Sequence, residues 1–588
     1  MKLSDYVIDV LVEQNIKHVF EMIGGGITHL LDSIYIREDI ECVSIHHEQA
    51  ASFAAEGYAR INGNLGVAMA TSGPGALNLL TGIGSCYFDS IPCLFITGQV
   101  NTYEYKFDKK IRQIGFQETD IVSVVKPLTK YAELVIDPEK IRYHLEKAIY
   151  IAQNGRPGPV LLDIPMNIQR ANIDPKQQVS FFDSEEYQGL VKEEKNDEFL
   201  LDEIIELMKN AERPIILAGG GIRTGNATRE LNELVKITKF PVVSSLMGID
   251  SLSHANEEYI GMIGSYGNRY SNLALANSDL LLILGSRLDT RQTGTRPDTF
   301  ARGAKKVHVD IDRLELNEKV KVDIAIHSTL KPFLQKLTEK LETEWLDTNI
   351  SKWYQTIGMY KDNYPTANYQ EDSIDPNWFM EQLSNNLKSD DTICLDVGQH
   401  QMWASQSLKL KDGQRLLNSG GMGAMGFALP AAMGAYLAKE DGQAIVIAGD
   451  GGIQVNIQEF DTIVSNNLPI KIIIMNNKSL GMVRQFQDLY FEKRRQSTII
   501  SNPNFPGIAR AYDMKAFTIN TVSEVESVLE QVFLEEGPVL VDVSIASDVV
   551  VNPKLVVNKP IEDMSPHLDR DELKKIMLID LVEEQKNN

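Results

Sequence analysis

The chain is poor in cysteine, in positive charge and in long apolar segments, and each shortage excludes a class of protein. Its 588 residues include only four cysteines, and there is no metal-ligand spacing and no Cys-x-x-Cys pair among Cys42, Cys86, Cys93 and Cys394. Free, buried thiols in a reducing compartment are therefore expected. Acidic residues outnumber basic residues by 81 to 58, and the net charge of −23 argues against nucleic acid or an anionic membrane surface as a partner.

No apolar run approaches the roughly 20 residues that a membrane-spanning helix needs. The first residues, from Met1 to Val7, resemble a capped amphipathic helix rather than a signal peptide. We therefore expect a cytoplasmic protein that has no membrane partner.

Apolar, strand-like runs alternate with helical patterns along most of the chain, which predicts an α/β fold with parallel sheets. A chain of 588 residues is too long for a single core. Polar stretches at about 174–197 and 343–375 separate these runs into three doubly wound domains. We predict a first domain at 1–175, a central domain at 190–342, a third domain at 370–550 and a C-terminal tail at 551–588.

The most specific motif is Gly449-Asp450-Gly451, which follows the strand-like run 444–448 and precedes a helix. A glycine turn after a strand presents backbone N–H groups that suit a pyrophosphate. Asn477 follows the next apolar run, 27 positions after Asp450, so both side chains are expected at one edge of a parallel sheet. One carboxylate, one amide oxygen and a nearby carbonyl suit Mg²⁺. The alternative is an ordinary turn with a solvated aspartate.

The first and third domains share this local pattern. In the third domain Asp450 lies in a glycine turn and Pro469 follows 19 positions later. In the first domain Ser72 lies in a similar turn and Pro92 follows 20 positions later. Two facing copies of one fold would form a cleft at the carboxyl ends of their strands, where open α/β sheets bind ligands. The alternative is that any two βαβ units resemble each other to this extent.

Glu48 lies between the strand-like run 40–45 and an apolar helical pattern that reaches Arg60. A carboxylate in this position normally caps the helix or is solvated. The other interpretation is a poorly solvated acid that handles a proton for a bound cofactor.

The central domain has polar residues at three successive strand exits. Gly219-Gly220-Gly221 follows the run 213–218, a basic loop follows the run 280–284, and two acids, Asp310 and Asp312, follow the third run. Glycines let the backbone approach a phosphate, and the acids suit ribose hydroxyls. This pattern predicts a nucleotide site, although a triple glycine alone fits a structural turn equally well.

Ten short motifs occur in order along the chain. They are His47-Glu-Gln-Ala-Ala, Glu56-Gly-Tyr-Ala-Arg, Thr71-Ser-Gly-Pro-Gly-Ala, Asp89-Ser-Ile-Pro, Ile96-Thr-Gly-Gln-Val, Phe116-Gln-Glu, Gly155-Arg-Pro-Gly-Pro-Val, Val397-Gly-Gln-His-Gln-Met-Trp-Ala, Ser419-Gly-Gly-Met-Gly-Ala-Met-Gly-Phe and Asn476-Asn-Lys-Ser-Leu-Gly-Met-Val. Together they resemble the catalytic subunit of the acetohydroxyacid (acetolactate) synthase family, whose enzymes use thiamin diphosphate (ThDP). The resemblance covers about residues 1–550.

The resemblance implies catalytic roles for two residues of the first domain. Glu48 would be the acid that activates ThDP through its pyrimidine ring, and Gln117 would lie near the reacting carbon. In the third domain, Met425 would support the bent cofactor and the Gly423 backbone would hold its amino group.

The resemblance also implies a magnesium site and further cofactor contacts. Mg²⁺ would be held by Asp450, Asn477 and the carbonyl of Ser479. The other implied ThDP-binding residues are Pro74, Asn78, Gln399, His400, Gly449, Gly451, Gly452, Gly481 and Met482, with Asn477 shared between cofactor and metal.

FAD is the nucleotide that the resemblance implies for the central domain, where it does no net redox chemistry in the main reaction. The implied FAD-binding residues are Arg156, Gly219, Gly220, Gly221, Leu246, Met247, Gly285, Arg287, Asp289, Arg291, Asp310 and Ile311. Related ThDP enzymes use this domain for ADP or leave it empty. Since the first and third domains around one cofactor come from different subunits in the family, a homodimer is the minimum expected assembly, and a homotetramer is the alternative.

Several residues depart from the family pattern near the expected second-substrate end. Phe486 stands where the family has a tryptophan that helps to choose the acceptor, and Met166 replaces a lysine. Thr290 replaces an aspartate beside Arg291. Acceptor selection is expected to depend on Phe486, Arg291 and Met482. The loss of one cation and one indole weakens the case for a small carboxylate acceptor.

These observations predict a ThDP- and Mg²⁺-dependent carboligase, which decarboxylates pyruvate or a similar 2-oxo acid and transfers the two-carbon unit to a second carbonyl. Another 2-oxo acid and a nucleotide-linked keto-sugar both remain as acceptors, since the tail from Lys559 resembles tails of ThDP proteins of bacterial surface-sugar pathways. A ThDP 2-oxo acid decarboxylase and a non-catalytic nucleotide-binding scaffold are further alternatives. The intact Glu48, Asp450 and Asn477 argue against the scaffold.

Overall fold

Three six-stranded sheets, all parallel, organise the part of the chain that the structure describes. The computed structural model describes residues 1–193, 197, 199–344, 349–439 and 441–582. A short antiparallel pair of strands lies near the end of the described chain. The predicted class, three parallel α/β domains, is confirmed. The predicted domain limits stay a prediction, and their residues 194–196, 198, 440 and 583–588 lie outside the described ranges.

The strands are short and mostly buried. The first sheet contains β1 (His18–Met22), β2 (Glu41–Ser44), β3 (Gly66–Ala70), β4 (Cys93–Gln99), β5 (Tyr131–Leu134) and β6 (Val160–Pro165). The central sheet contains β7 (Pro214–Ala218), β8 (Val242–Ser244), β9 (Tyr259–Met262), β10 (Leu280–Leu284), β11 (Lys305–Asp310) and β12 (Ile324–His327). The third sheet contains β13 (Thr392–Leu395), β14 (Arg415–Asn418), β15 (Ala444–Gly449), β16 (Ile470–Asn476), β17 (Lys515–Ile519) and β18 (Val539–Ser544), and the antiparallel pair is β19 (Lys554–Leu555) with β20 (Met564–Ser565).

Helices connect and cover the strands. Those of the first third are α1 (Leu3–Glu13), α2 (Thr28–Tyr35), α3 (Glu48–Asn62), α4 (Pro74–Asn78), α5 (Leu80–Asp89), α6 (Ile121–Val125), α7 (Ile141–Gln153), α8 (Met166–Gln169) and α9 (Glu185–Glu193). Around the central sheet are α10 (Leu201–Asn210), α11 (Gly221–Thr224), α12 (Thr228–Thr238), α13 (Arg269–Ala276), α14 (Thr290–Thr293), α15 (Leu330–Thr343) and α16 (Ser351–Asn363). The remainder are α17 (Pro376–Asn386), α18 (Gln399–Ser407), α19 (Ala428–Lys439), α20 (Asp450–Ile453), α21 (Glu459–Ser465), α22 (Gly481–Tyr490), α23 (Phe505–Ala511), α24 (Val525–Leu534) and α25 (Arg570–Ile576).

The first and third sheets have the same topology. Their strand orders are β2-β1-β3-β4-β6-β5 and β14-β13-β15-β16-β18-β17. When the strands of each sheet are counted from its own first strand, both orders become 2-1-3-4-6-5. The local repeat in the sequence therefore reflects a repeat of the whole sheet.

The central sheet has a different order, β12-β11-β10-β7-β8-β9. Counted from its own first strand and read from the β9 edge, this is 3-2-1-4-5-6, the doubly wound order of dinucleotide-binding folds. The order reverses between β7 and β10, so the loops that follow these strands diverge and leave a crevice at the carboxyl edge.

Helices α3 and α19 join the first and third sheets through very close backbone contact. A Cβ on Gly57 would lie 2.1 Å from the carbonyl oxygen of Ala431, and a Cβ on Gly434 would lie 1.8 Å from that of Ala54. Because the residue numbers run in opposite directions along the contact, the two helices are antiparallel. Glycine at these positions lets the helices pack without a side chain between them.

Both predicted polar stretches contain a helix. In the first, α9 follows Phe182, and Tyr187 packs against Tyr150 of α7 with ring centroids 5.2 Å apart. In the second, Trp353 of α16 is buried in the central core and donates its indole N–H to the carbonyl of Pro214. Residues 345–348 of that stretch lie outside the described ranges.

The C-terminal tail packs against the central domain. Leu573, Ile576 and Met577 are buried in the core that surrounds the central sheet. The Tyr360 hydroxyl donates to the carbonyl of Ile576 over 2.7 Å. The described tail is therefore part of the folded structure.

Candidate functional site

Asp450 and Asn477 follow adjacent strands at the carboxyl edge of the third sheet. Strands β15 and β16 are buried and pair in parallel, with Gly449 opposite Met475. Asp450 is 1% exposed, and its Oδ2 accepts a hydrogen bond from the Asn502 amide over 2.6 Å. Burial raises the pKa of the Asp450 carboxyl, while the Asn502 hydrogen bond and backbone N–H groups partly offset the rise. The expected metal-binding carboxylate is thus held in place at the edge.

The amide of Asn477 is oriented by two hydrogen bonds. Its Nδ2 donates to Oε1 of Gln399 over 2.8 Å, and its Oδ1 accepts from the backbone N–H of Ser479 over 3.1 Å. A Cβ on Gly481 would lie 1.8 Å from Oε1 of Gln399, so the start of α22 passes directly over this pair. Gln399, expected at the diphosphate end, therefore contacts an expected metal ligand.

Asn502 is a residue of this site that the sequence reasoning missed. Its Nδ2 donates to Asp450 and also to Oδ1 of Asn476 over 2.8 Å. Its own Oδ1 is buried and has no hydrogen-bond partner among the described residues. Ile500, two residues earlier, donates its N–H to the carbonyl of Lys478. Asn502 lies outside every strand and helix, and no motif marks it.

His400 presents an unsatisfied ring nitrogen beside the glycine turn. A Cβ on Gly449 would lie 2.9 Å from its Nδ1, and its Nε2 is buried without a hydrogen-bond partner in the described chain. Burial lowers the pKa of His400 to about 3, so the imidazole is neutral at physiological pH. A buried neutral imidazole with an unpaired nitrogen fits an oxygen-rich group that is absent from the protein chain itself.

The segment Gly423–Gly426 enters α19 and is anchored by Asp396. Asp396 Oδ1 accepts the N–H of Gly426 over 2.9 Å, and burial raises the pKa of this carboxyl to about 7. Gly423 and Gly426 both have positive φ values, 67° and 83°, which favour glycine. Met425 is half-exposed, and its Cε would lie 3.7 Å from a Cβ on Gly451. Asp396 was also missed by the sequence reasoning.

The remaining residues of the third domain lie close to this edge. A Cβ on Gly452 would lie 2.5 Å from the Asp396 carboxylate, which places this glycine beside the anchored turn. Met482 is half-buried and lies in the first turn of α22, beside Gly481. The expected ThDP and magnesium residues of the third domain are therefore brought together.

Glu48 begins α3 and is held in a cluster of first-domain residues. It is 6% exposed, and its Oε2 accepts a hydrogen bond from the Asn78 amide over 2.9 Å. A Cβ on Gly75 would lie 3.1 Å from Oε1, so this glycine leaves the second oxygen uncovered. Pro74 and Asn78 are the first and last residues of α4.

Gln117 lies beside the same turn. It has a positive φ of 65°, and a Cβ on Gly73 would lie 2.9 Å from its carbonyl oxygen. The neighbouring Glu118 is buried and accepts backbone N–H groups from Lys106 and Ile114, which closes the loop that carries Gln117. The expected first-domain residues therefore form a second cluster.

Among the residues that the structure describes, no hydrogen bond within one chain joins these two clusters. In the described residues, the side-chain hydrogen bond of Glu48 is to Asn78. Glu48 is at the start of α3, whereas Arg60, near its end, donates to the carbonyl of Asn418 ahead of Gly423. Helix α3 extends roughly 18 Å between Glu48 and Arg60 at about 1.5 Å per residue. The acid therefore lies at the opposite end of α3 from the segment that carries Gly423.

The expected nucleotide residues meet at the switch point of the central sheet. A Cβ on Gly219 would lie 2.1 Å from the carbonyl oxygen of Gly285, and a Cβ on Gly221 would lie 2.7 Å from the Cα of Gly285. A Cβ on Gly220 would lie 3.0 Å from the Met247 side chain. Gly219 and Gly221 are thus required by backbone packing, the structural turn that the sequence left as the alternative to phosphate contact. Leu246 precedes Met247 in the same short 3₁₀ turn.

The charged residues of this crevice are partly paired with one another. Arg156 of the first domain contacts Asp312 and Glu315, each over 2.9 Å. Asp310 is buried and accepts the N–H of Asp312, and burial raises its pKa to about 6. Ile311 lies between these acids and is half-buried.

The loop after β10 extends this crevice toward the third domain. Arg287 lies 3.7 Å from Asp289, and its guanidinium would lie 3.2 Å from a Cβ on Gly421 of the third domain. Asp289 caps α14 by accepting the N–H of Arg291 over 3.0 Å. The expected FAD residues therefore lie together at this edge of the central sheet.

Phe486 and Arg291 lie at the junction of the central and third domains. Phe486 is 45% exposed and packs on Tyr490 of the same helix, with ring centroids 4.7 Å apart. Arg291 lies over Tyr266 at 5.8 Å, and its Nη2 is 3.8 Å from the Met402 sulfur. Met402 belongs to α18, the helix that begins with Gln399. Two of the residues expected to select the acceptor thus lie near the diphosphate edge.

A separate cavity of about 380 Å³ lies between the central and third domains, lined by Tyr259, Tyr270, Lys361 and Lys409 among others. It contains none of the expected site residues.

In the described chain, no cluster of three or more His, Cys, Asp or Glu side chains is arranged for a metal ion, so a magnesium site would depend on amide and carbonyl oxygens as well. The helices of the described residues include none that is long and apolar enough to cross a membrane.

Comparison with known proteins gives matches along nearly the whole chain. Residues 1–124 match the N-terminal TPP binding domain of thiamine pyrophosphate enzymes, residues 201–337 match the central domain, and residues 396–543 match the C-terminal TPP binding domain. The chain is 35% identical to the acetolactate synthase large subunit of Lactococcus lactis, covering 94% of each chain. It is 36% identical to acetolactate synthase 2, chloroplastic, of Nicotiana tabacum, covering 94% of this chain and 83% of the relative. It is 33% identical to the acetolactate synthase large subunit of Haemophilus influenzae, covering 95% of this chain and 99% of the relative.

Proposed function

Because the chain belongs to the acetolactate synthase family of thiamine pyrophosphate enzymes, we propose that it decarboxylates pyruvate and transfers the two-carbon unit to a second 2-oxo acid. The observation that carries this proposal is the meeting of Asp450, Asn477 and the neutral His400 at one sheet edge, within the matched C-terminal TPP binding domain. The comparisons do not favour the keto-sugar alternative, since the relatives are acetolactate synthases.

The third domain would hold the diphosphate and Mg²⁺. The carboxylate of Asp450, the Oδ1 of Asn477 and the carbonyl of Ser479 supply the hard oxygen donors that Mg²⁺ prefers. The unpaired Nε2 of His400 and the amides of the turn after Gly449 suit the diphosphate oxygens. Gln399 would orient Asn477 from behind.

The first domain would handle the proton. When bound, ThDP supplies the nucleophilic carbon and the electron sink for the reaction. Asn78 holds Oε2 of Glu48, which leaves Oε1 free to exchange a proton with the pyrimidine ring. Burial of Glu48 keeps water from competing for that proton. Gln117, on its closed loop, would donate hydrogen bonds to oxygen atoms of the substrate.

The central domain would bind FAD. The support is its 3-2-1-4-5-6 strand order and the convergence of Gly219, Gly285 and Asp310 at the switch point, where this fold binds dinucleotides. Arg287 and Arg291 add positive charge beside the crevice. Release of a flavin on denaturation, measured by absorbance and fluorescence, would test this assignment.

The active unit would be a homo-oligomer in which one chain supplies Glu48 and its partner supplies Asp450. Support comes from the position of Glu48 at the far end of α3 from the Gly423 segment. A second copy related by a two-fold axis would bring each acid to the other chain's diphosphate edge.

The direct test supplies ThDP, Mg²⁺ and pyruvate to the purified protein, with and without a panel of carbonyl acceptors, and measures CO₂ and products by mass spectrometry. We expect CO₂ release and an acetolactate-type product, and a loss of about 10²- to 10⁴-fold in Glu48→Gln. Release of free aldehyde without ligated product would indicate a decarboxylase instead. Unchanged turnover in Glu48→Gln would refute the assigned proton transfer.

A further inference from the structure

Lys554 is a buried cation surrounded by aromatic rings. It is 7% exposed, and its Nζ lies 5.8 Å from the ring centroid of Tyr266, 5.7 Å from Phe486 and 5.9 Å from Tyr490. Tyr266 follows β9 of the central sheet, whereas the other two rings belong to α22 of the third domain. The ammonium therefore lies where the tail, the central domain and the third domain meet.

This ammonium has no acidic partner in the described part of the chain. The ion pairs of the described residues include none with Lys554, and no side-chain hydrogen bond of its Nζ is present. Burial lowers the pKa of Lys554, and no neighbouring carboxylate offsets this effect. Aromatic faces attract a cation, but they do not replace the anion that a buried charge normally requires. The missing anion is then expected from outside the chain.

The position of Lys554 is rigidly determined from two sides. Leu555 donates its N–H to the carbonyl of Ser265, and the N–H of Ser265 in turn donates to the carbonyl of Arg291, both over 2.7 Å. On the other side, the Gln485 side chain exchanges two hydrogen bonds with the backbone of Val551. The segment that carries Lys554 is thus tied to both the Arg291 loop and α22.

Arg291 is a second cation at the same place without an acidic partner among the described residues. It approaches Tyr266, the ring that Lys554 also approaches. Phe486 and Tyr490, at 45% and 39% exposure, place one side of this cluster at the protein surface. Helix α22, which carries both rings, begins at Gly481 against Gln399 and Asn477, and Phe486 lies about one and a half helical turns after Gly481.

We propose that Lys554 binds the carboxylate of the acceptor 2-oxo acid together with Arg291, and is thus a specificity-determining residue supplied by the C-terminal tail. This inference rests on the proposed carboligase function. Lys554 would supply a positive charge in place of the lysine that Met166 replaces, so the loss at Met166 does not argue against a carboxylate acceptor. A neutral carbonyl acceptor would gain nothing from Lys554.

The test is a competition between two acceptors at fixed pyruvate, namely 2-oxobutanoate and propanal, which differ by the carboxylate. Lys554→Met should lower the ratio of the 2-oxobutanoate product to the propanal product by about tenfold, through a higher KM for 2-oxobutanoate. The first-turnover burst of CO₂ should be retained, because donor decarboxylation precedes acceptor binding, whereas steady-state turnover of pyruvate alone should fall, because pyruvate is then also the acceptor. Lys554→Arg should retain most of the ratio, and Lys574→Met, on the exposed face of α25, is the matched control.

Lys554→Gln provides a second uncharged variant. The melting temperatures of wild type and of all the Lys554 variants are compared. Since Lys554 has no acidic partner in the described chain, both uncharged variants should melt at or above the wild-type temperature. A large drop in both would contradict the description of Lys554 as an unpaired cation. An unchanged product ratio with normal CO₂ release would refute this inference alone. Absence of CO₂ release from the unmodified protein would refute the proposed function and this inference together.

Discussion

The side-chain amide of Asn477 donates to Oε1 of Gln399 over 2.8 Å, and this contact determines which atom of Asn477 faces the Asp450 edge. With Nδ2 engaged, the Oδ1 atom remains on the side of Ser479, whose N–H it accepts. An oxygen is the atom that a magnesium ion requires. Gln399 therefore acts as the support of a metal ligand.

Gln399→Met should weaken magnesium binding without removing any ligand. Because Asn477 would lose the partner that orients it, we expect the half-saturating Mg²⁺ concentration to rise by about 10- to 100-fold. Mg²⁺ titration of ThDP binding, followed by circular dichroism or calorimetry, measures this directly. Gln382→Met on α17 is the control. Equal Mg²⁺ requirements in wild type and Gln399→Met would show that the contact has no such role.

Phe486→Trp should change acceptor preference with little effect on donor decarboxylation. Phe486 lies on the second turn of α22 and is 45% exposed, so a larger ring fills space that a second substrate would use. We expect the product ratio between 2-oxobutanoate and pyruvate as acceptors to shift by about threefold or more, while CO₂ release stays within about twofold. A parallel loss of both activities would show that Phe486 is not an acceptor filter.

Gly434→Ala should destabilise the protein strongly, because its Cβ would lie 1.8 Å from the carbonyl oxygen of Ala54. Separation of α3 from α19 would cost about 2–3 kcal/mol or more of unfolding free energy. Gly358→Ala is the matched control, since Gly358 is also helical and a Cβ there meets nothing within 4 Å. That control should be neutral or stabilising by up to about 1 kcal/mol. Chemical denaturation of both variants decides the point, and equal midpoints would contradict the described packing.

His308→Gln should remove one source of acid sensitivity. His308 is buried, its Nε2 lies 2.9 Å from the carbonyl of Ser286, and burial lowers its pKa to about 4. The unfolded pKa is about 6.5, so the stability from neutral His308 is fully present above that value and is lost as pH falls toward 4. The loss reaches about 3 kcal/mol at the acid end.

The measurement is the difference in unfolding free energy between wild type and His308→Gln, taken from pH 8 to pH 4. A difference is used because buried carboxyls such as Asp163, whose pKa is raised to about 7, have the opposite pH dependence. Wild type should have the larger unfolding free energy near pH 8, and this advantage over the variant should shrink below about pH 6.5. A difference that does not change with pH would contradict a neutral, buried His308.

The strands and the main motifs were predictable because hydrophobic periodicity and composition are local properties of the sequence. The run 444–448 became β15, and Gly449-Asp450-Gly451 occupies the predicted strand exit because β-branched residues and glycines determine the backbone nearby. The repeat between the first and third domains was visible for the same reason. Its extent to all six strands was not, because strand order depends on contacts between distant segments.

The residues that the sequence did not reveal act through tertiary contact. Asn502 lies in an irregular segment and reaches Asp450 only because Ile500 pairs with Lys478 across the turn. No motif marks Lys554 in the C-terminal tail, and the segment that buries it is held by Ser265 on one side and Gln485 on the other. No spacing rule connects such positions along the chain.

Subunit exchange between two inactive variants, Glu48→Gln and Asp450→Asn, tests the shared site most directly. The two proteins are mixed, dissociated and allowed to reassemble. If each site takes its acid from one chain and its metal-binding edge from the other, half of the randomly formed dimers contain one intact site, so about a quarter of wild-type activity should return. Each variant alone, treated in the same way, should stay inactive. Failure of the mixture to regain activity, with exchange of subunits verified by mass spectrometry, would contradict a site shared between two chains.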